Sequence, residues 1–577
     1  MTSSIQFGTL RTDGATARLF GTSSGIDTDR LIDALVQAKR LPAVRLESRI
    51  ARNEAKVAAL RELSGLLARI RDAVAGLRNP PGVFGVKENV FEAKDVFLSA
   101  NTATAPNALL AASAAPEAEP SAYSLVIERL ATAHKLASDS VASGTVTLAD
   151  AFNGGVDFRG QFALGLAGGA SATVTVDGAM DIYDLEAAID AVSTTTGVEA
   201  SVLKVADDDF RLLLAAKETG KAIQFTAISG TNVPDLVGLT TGGAASRKHE
   251  LQAAQTAKLA IDGVTVERSS NLVDDVIRGV KLNLFKADPS TTVTVEVQRS
   301  ASRVKDAITE LVDAVNAFRD FVERHRQVSE NGEVPENAVL FGNATLRSAA
   351  ATLGDELARS VAGLPAGSLA HLADIGVTLD SANRLVVDEA ALEDALLTRF
   401  DDVRRLFEFS FAASSADLRV YGRTNALADT SFTVDIVDAD GDGAIESATI
   451  DGVAADVRGG RIVGRAGTAY EGLELLWVGR GSTSITVNAT QGIGDRLYNA
   501  LRAMLDEQRG ALPREIAQLT ADNDRYEVDI EKIDERVERF RQSLIDKFAA
   551  LERTLSMLNV LLGQVRAQIE AFSGKSD

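Results

Sequence analysis

Between residues 513 and 572, apolar side chains recur in alternating steps of three and four: Ile516, Leu519, Tyr526, Ile530, Ile533, Val537, Phe540 and Leu544, with Asn523 as the polar member of the series. After one shift the series runs on through Phe548, Leu551, Leu555, Leu558, Leu562, Val565, Ile569 and Phe572. Charged residues such as Glu531, Lys532, Asp534, Glu535 and Arg536 fill the intervening positions. A heptad sustained over this length predicts a long coiled-coil helix rather than a helix of a compact core. Val537 and Phe548 lie eleven residues apart, the spacing of a four-residue stutter. At 1.5 Å per residue the helix would be roughly 90 Å long, and its seam needs a partner.

The other end of the chain offers one. Asp27 or Thr28 is placed as an N-cap before the stripe Leu31, Ile32, Leu35 and Val36, which Pro42 is expected to interrupt. A second helix is predicted over 43–77, with Leu46, Ile50, Val57, Leu60, Leu67, Ile70, Val74 and Leu77 on one side, stopped by Asn79-Pro80-Pro81-Gly82. If the two ends pair, everything between them is an insertion.

The intervening period changes several times. Alternation typical of strands marks 123–129, 161–166, 173–176, 199–203, 210–214 and 223–226, with one amphipathic helix over 181–192. Strands return around the Ile261-Asp262-Gly263-Val264 turn and through Val293, Val295 and Val297. Helical spacing then governs 304–328, 346–361, 389–397 and 400–407, with a short hairpin at 377–387, before strands resume over 418–487. The fold class that follows is multidomain α+β, with paired N- and C-terminal coiled-coil helices as legs and inserted strand-rich middle domains. The expected divisions are a disordered arm at 1–20, N-terminal helices at 21–120, an α+β domain at 121–250, a second strand-rich unit at 251–300, a helical domain at 301–415, a small β domain at 416–490 and the stalk at 491–577. Within the second division, 83–114 shows no clear period and 111–120 reads as a linker.

Composition narrows the chemistry. The chain of 577 residues has a formal net charge of −21, opposite in sign to the footprint that binds nucleic acid or anionic lipid. It has no cysteine, which removes disulfides, thiolate metal sites and cysteine nucleophiles. Its four histidines, His134, His249, His325 and His371, are too dispersed for a sequence-local metal motif. No stretch of about 18 apolar residues is present to insert in a membrane, and the N-terminal residues lack the basic and apolar regions of a Sec signal.

Three short motifs carry chemical suggestions. Gly21-Thr22-Ser23-Ser24-Gly25 has the spacing of a nucleophile elbow but lacks a strand before it, and reads as a turn before a helix cap. Gly574-Lys575-Ser576 ends like a phosphate-binding loop, but Ile569 stands where that loop needs glycine. Asp438-Ala439-Asp440-Gly441-Asp442-Gly443 is sharper: carboxylates at alternate positions with glycine sixth match the first half of a calcium loop. Thr449 occupies position twelve, where a bidentate Glu belongs, and Glu446 is the candidate replacement. Two readings stand, a turn between strands or a weak calcium site on Asp438, Asp440 and Asp442. Calcium is the one cofactor suggested. No acid–base pair or nucleophile set is assembled that would suggest an enzyme.

Several longer stretches share a family signature. Gly25-Ile26-Asp27-Thr28-Asp29-Arg30-Leu31 followed by Leu35 and Arg40-Leu41-Pro42 resembles the start of the flagellar filament-capping proteins, the hook-associated protein 2 family. Asn271 through Leu282, Ile375-Gly376-Val377 with Leu385, Val387 and Asp388, and the segment from Leu544 through Phe548 to Glu552 are similar to the same family, in the same order. The resemblance implies a structural cap at the tip of the bacterial flagellar filament that promotes flagellin insertion. It implies as partners flagellin, further copies of the chain in a ring of pentamer-like size, hook–filament junction proteins and a cytoplasmic export chaperone at the C-terminal helix. Export through the flagellar type III system and location at the filament tip follow from it. Another flagellar axial protein, at the hook–filament junction, and a secreted adhesin binding host glycans are the alternatives.

Overall fold

The structure, a computed structural model, describes residues 9–13, 16–20, 27–79, 89–242, 246–423, 427 and 431–573. It divides into two compact units, one formed by 1–81 with 305–577 and the other by 82–304.

In the first unit, helix Thr28–Ala75 pairs with helix Ala511–Ser573. Asp27 caps the former, its side chain accepting the Arg30 N–H at 3.1 Å. The helix runs through Pro42 instead of stopping there. Pro42 is exposed, so water can take the carbonyl four residues back that the missing N–H leaves free, and the adjacent Ala43 is fully buried. Packing on the partner helix therefore outweighs a local cost of about 3 kcal/mol. Further along, Leu60, Leu63, Leu67, Ile70, Val74 and Leu77 are completely buried. Helix Ile493–Leu505 packs against this stretch and against Ala344–Ala358. Its entry is tight, since a Cβ on Gly492 would stand 2.3 Å from the carbonyl carbon of Phe407. The predicted hairpin forms as Val377–Leu379 paired with Leu385–Val387.

Between helix Phe400–Phe407 and Ile493–Leu505 the first unit carries a two-sheet β insertion. One sheet orders Phe409–Ala413, Thr483–Gln491, Ser431–Val437, Ser447–Ile450 and Val453–Ala454; the other orders Leu418–Arg423, Leu473–Trp477, Arg461–Val463 and Asp456–Arg458. Val434, Ile450, Ile462, Leu473, Leu475 and Val487 fill the core between the sheets. The insertion thus begins at Phe409, inside the stretch read as the helical domain.

The second unit contains two cores. A five-stranded sheet orders Val264–Arg268, Ala257–Ile261, Ser121–Arg129, Asp288–Arg299 and Lys94–Ala100, and a three-stranded sheet orders Leu272–Val273, Val280–Leu284 and Leu110–Ala114. Their shared core includes Leu125, Leu259, Val280, Val293 and Val295. Residues 133–252 form a separate core of Leu164, Val176, Ile189, Leu212, Leu214 and Ile223, with helix Ile182–Asp190 packed on it. This differs from the expected division at residue 250: strand Ser121–Arg129 pairs with Ala257–Ile261 and Asp288–Arg299, so 133–252 interrupts one sheet domain instead of following it. The stretch read as unpatterned and as linker holds strands Lys94–Ala100 and Leu110–Ala114. The arm expected to be disordered contains a hairpin, Thr9–Asp13 with Thr16–Phe20. Three threonines among those ten residues favour the pleated backbone without giving a one-sided apolar pattern.

Candidate functional sites: the helix pair and an acidic hairpin loop

The two long helices run antiparallel. Arg40 Nε donates to Asp534 Oδ1 at 2.8 Å, Asn53 Nδ2 donates to Asn523 Oδ1 at 2.9 Å, and Arg541 Nη2 reaches Asp33 Oδ1 at 3.5 Å. Higher numbers on one helix thus meet lower numbers on the other. Ile32, fully buried, packs with Ile545, surrounded by Val36, Leu544, Phe548 and Ala549. Lys39 Nζ lies 5.9 Å from the Phe540 ring centroid, and the Arg49 guanidinium is equally distant from that of Tyr526. The hydrogen-bonded carboxylates of Asp534 and Glu47 hold the Arg40 guanidinium above its usual pKa.

Asn523, the polar member of the heptad, thereby acquires a role that its sequence position could not specify. It meets Asn53, a residue the apolar pattern passed over, and one satisfied amide pair inside an apolar seam fixes the register of two helices. The stutter region, Leu544 to Phe548, is where Ile32 is accommodated.

Beyond it the N-terminal helix no longer reaches, because it begins at Thr28, although strand Thr16–Phe20 also touches the C-terminal helix. Leu551, Met557, Leu558, Leu561, Leu562, Val565 and Ile569 are all exposed, from 43% at Leu551 to 73% at Met557. Glu552 is buried and Leu555 half-buried, so the distal heptad is only partly covered.

The acidic motif lies in the hairpin loop between Ser431–Val437 and Ser447–Ile450, closed by Glu446 N–H to Val437 O at 2.9 Å. Asp438 is 1% exposed, and its Oδ2 accepts N–H groups from Gly481 at 2.6 Å and Gly443 at 3.1 Å. The Gly481 N–H foremost, with that of Gly443, holds its carboxyl below the usual range against the opposing effect of burial. Asp440 Oδ1 accepts the Asp442 N–H at 3.2 Å, and Asp442 Oδ1 accepts that of Ala444 at 2.7 Å. One ligand atom from each of Asp438, Asp440 and Asp442 lies within 4.8 Å of the other two. Thr449, at position twelve, belongs to a strand and donates its hydroxyl to Asp435 Oδ2 at 3.1 Å. Glu446, the candidate replacement, is exposed and outside the group.

The other candidates separate. Gly21 to Gly25 and Gly574 to Ser576 lie outside the described residues. His134 is buried, its Nδ1 accepting the Ile223 N–H at 2.9 Å while Nε2 faces Glu250 at 2.9 Å; His249 faces Asp139 at 2.7 Å. Among the described residues no helix is long and apolar enough to cross a membrane.

The segment from Asn271 to Leu282 is explained by packing. Asn271 bonds both backbone groups of Ala131, accepting at 2.7 Å and donating at 2.9 Å, while Val273, Ile277, Val280 and Leu282 are buried. Gly279 takes φ +74°, and a Cβ there would stand 2.7 Å from the Ala118 nitrogen.

Paired terminal helices around inserted sheets define a multidomain α+β protein whose two chain ends build one element. The family "Flagellar hook-associated protein 2 C-terminus" matches residues 254–560, and "Flagellar hook-associated protein 2 N-terminus" matches 24–134. The chain belongs to the flagellar hook-associated protein 2 family, a family of structural flagellar proteins, and this places it in the bacterial flagellum. It is similar to the A-type flagellar hook-associated protein 2 of Pseudomonas aeruginosa, 25% identical over 407 residues that cover 67% of this chain and 79% of that one. A Salmonella typhimurium flagellar hook-associated protein 2 is 29% identical over 219 residues, covering 37% and 46% respectively. Among solved structures, the D1-D2-D3 domains of the Escherichia coli flagellar cap protein FliD align with a TM-score of 0.46 at 23% identity, covering 60% of this chain and 88% of that one.

Proposed function

We propose that this chain caps the tip of the growing flagellar filament and promotes insertion and polymerisation of flagellin. The observation that carries the reading is the family match at both ends of the chain, on the residues that build the antiparallel helix pair. The exposed Leu551, Leu558, Leu562 and Val565 support it, because exposed apolar residues at heptad spacing gain stability by docking. In the cap the seam is covered by neighbouring copies in a ring of pentamer-like size and by the filament end, where flagellin and hook–filament junction proteins are the partners. Before export through the flagellar type III system, a cytoplasmic chaperone covers the C-terminal helix. A strain lacking the protein is expected to release flagellin into the medium and assemble few filaments, with recovery on re-expression of the full chain. Normal filaments in the deleted strain overturn the reading.

A further inference from the structure

We propose that the loop carrying Asp438, Asp440 and Asp442 is a calcium site that locks the β insertion at the hairpin end. Two independent observations meet there. Three carboxylates offer ligand atoms within 4.8 Å of one another, and none of the three forms an ion pair with Lys or Arg among the described residues. In addition, Asp438 Oδ1 is buried and has no hydrogen-bond partner, although the other oxygen of the same carboxylate takes two N–H groups.

A buried carboxylate oxygen without a donor is costly unless a cation faces it. Protonation would be the alternative, since clustered like charges favour the neutral acid. The Gly481 and Gly443 N–H groups donate to the other oxygen of Asp438 and so favour its anion. The Arg480 side chain passes beside Gly443 but forms no ion pair with the three carboxylates among the described residues, and the ligands are hard oxygens without nitrogen or sulfur. That donor set fits calcium, which accepts six to eight oxygens in adaptable geometry and takes water where the protein supplies none.

The loop backbone is arranged for the same purpose. Gly441 and Gly443 adopt φ +69° and +95°, so the chain turns between successive carboxylates, and the Asp442 and Ala444 N–H groups orient the side chains of Asp440 and Asp442. Asp438 also ties the hairpin to a second loop through Gly481 N–H, while its own N–H donates to Ser482 Oγ at 3.0 Å. The ion would therefore clamp the link between strands Leu473–Trp477 and Thr483–Gln491, which joins the two sheets, to the hairpin of Ser431–Val437 and Ser447–Ile450. Thr449 and Glu446 supply no ligand, so affinity belongs at the weak end of such loops, about 0.1 to 1 mM. On the cap reading the site works outside the cell, where calcium-binding modules of this strength operate.

The test uses the full chain, calcium chloride as the probe, and Asp440→Asn and Asp442→Asn as variants, because both residues are exposed and Asn retains the oxygen that accepts the loop N–H. Equilibrium dialysis is expected to find one saturable calcium per wild-type chain and at least a tenfold weaker affinity in either variant. Calcium at tenfold its wild-type Kd should raise the Tm of the β insertion by roughly 8 °C in wild type and by no more than about a third of that in the variants. In chelator the order reverses, since removing one of three repelling charges leaves the variants as stable as wild type or more so. A purely structural turn would not show this crossover. Absence of saturable binding up to about ten times the weakest expected Kd, or an equal calcium-induced Tm rise in wild type and variants, overturns the site. Because neither readout involves filaments, failure here leaves the cap reading untouched.

Discussion

The C-terminal helix contains two stretches with the same apolar spacing and different fates. From Ile516 to Phe548 its seam is met by the N-terminal helix, with Val537 and Ile545 buried to 6% and 7% exposure; beyond it the same spacing continues, but Leu551, Leu558, Leu562 and Val565 are exposed by 43 to 54%. Heptad periodicity therefore encodes that a seam exists, not where its cover comes from. In the first stretch the cover is the chain's own other end, limited by the start of the N-terminal helix at Thr28. In the second the N-terminal helix does not reach, and the exposed apolar residues gain burial by docking.

The largest test of this contrast is to cut between the two stretches. Removing residues 551–577 is expected to abolish filament growth in a complemented deletion strain while leaving the Tm of the purified chain unchanged. A large loss of Tm would show that the distal stretch is internally supported. Next in size is a pair of matched substitutions. Ile545→Ala removes a buried side chain facing Ile32 and should cost about 2 kcal/mol by denaturant unfolding, whereas Leu562→Ala should stay within about 0.5 kcal/mol. Equal costs would erase the distinction. The smallest effect concerns register. Asn523→Leu strands the Asn53 amide and should cost about 1 kcal/mol, while the double change Asn53→Leu with Asn523→Leu should restore stability but loosen alignment. Because the chain has no cysteine, Asp33→Cys with Arg541→Cys gives a clean readout: efficient crosslinking in the parent, reduced in the double-Leu background.

Much of the architecture was legible because local periods report local structure. Asp27 as the cap, the fully buried faces of Leu60, Leu67, Ile70 and Val74, the Val377–Val387 hairpin and the helix Ile182–Asp190 all follow from residues within a few positions of one another. The acidic loop was legible for the same reason, since its carboxylates are consecutive alternate residues. The strand Lys94–Ala100 was missed although Val96 and Leu98 alternate, because the pattern is short and its buried face is completed by Asp288–Arg299.

The sequence by itself determined many of the segments that are helix or strand, that both ends carry long apolar seams, and that three carboxylates crowd one turn. These are properties of spacing, and spacing survives in the unfolded chain. Only the tertiary structure decided that Asn523 meets Asn53, that Pro42 is carried through by packing, that Ser121–Arg129 joins strands more than a hundred residues away, and that Gly481 reaches across to bury Asp438. Each depends on contacts between residues far apart in the chain, where the free energy of burial and hydrogen bonding selects one pairing among many that local pattern leaves equivalent.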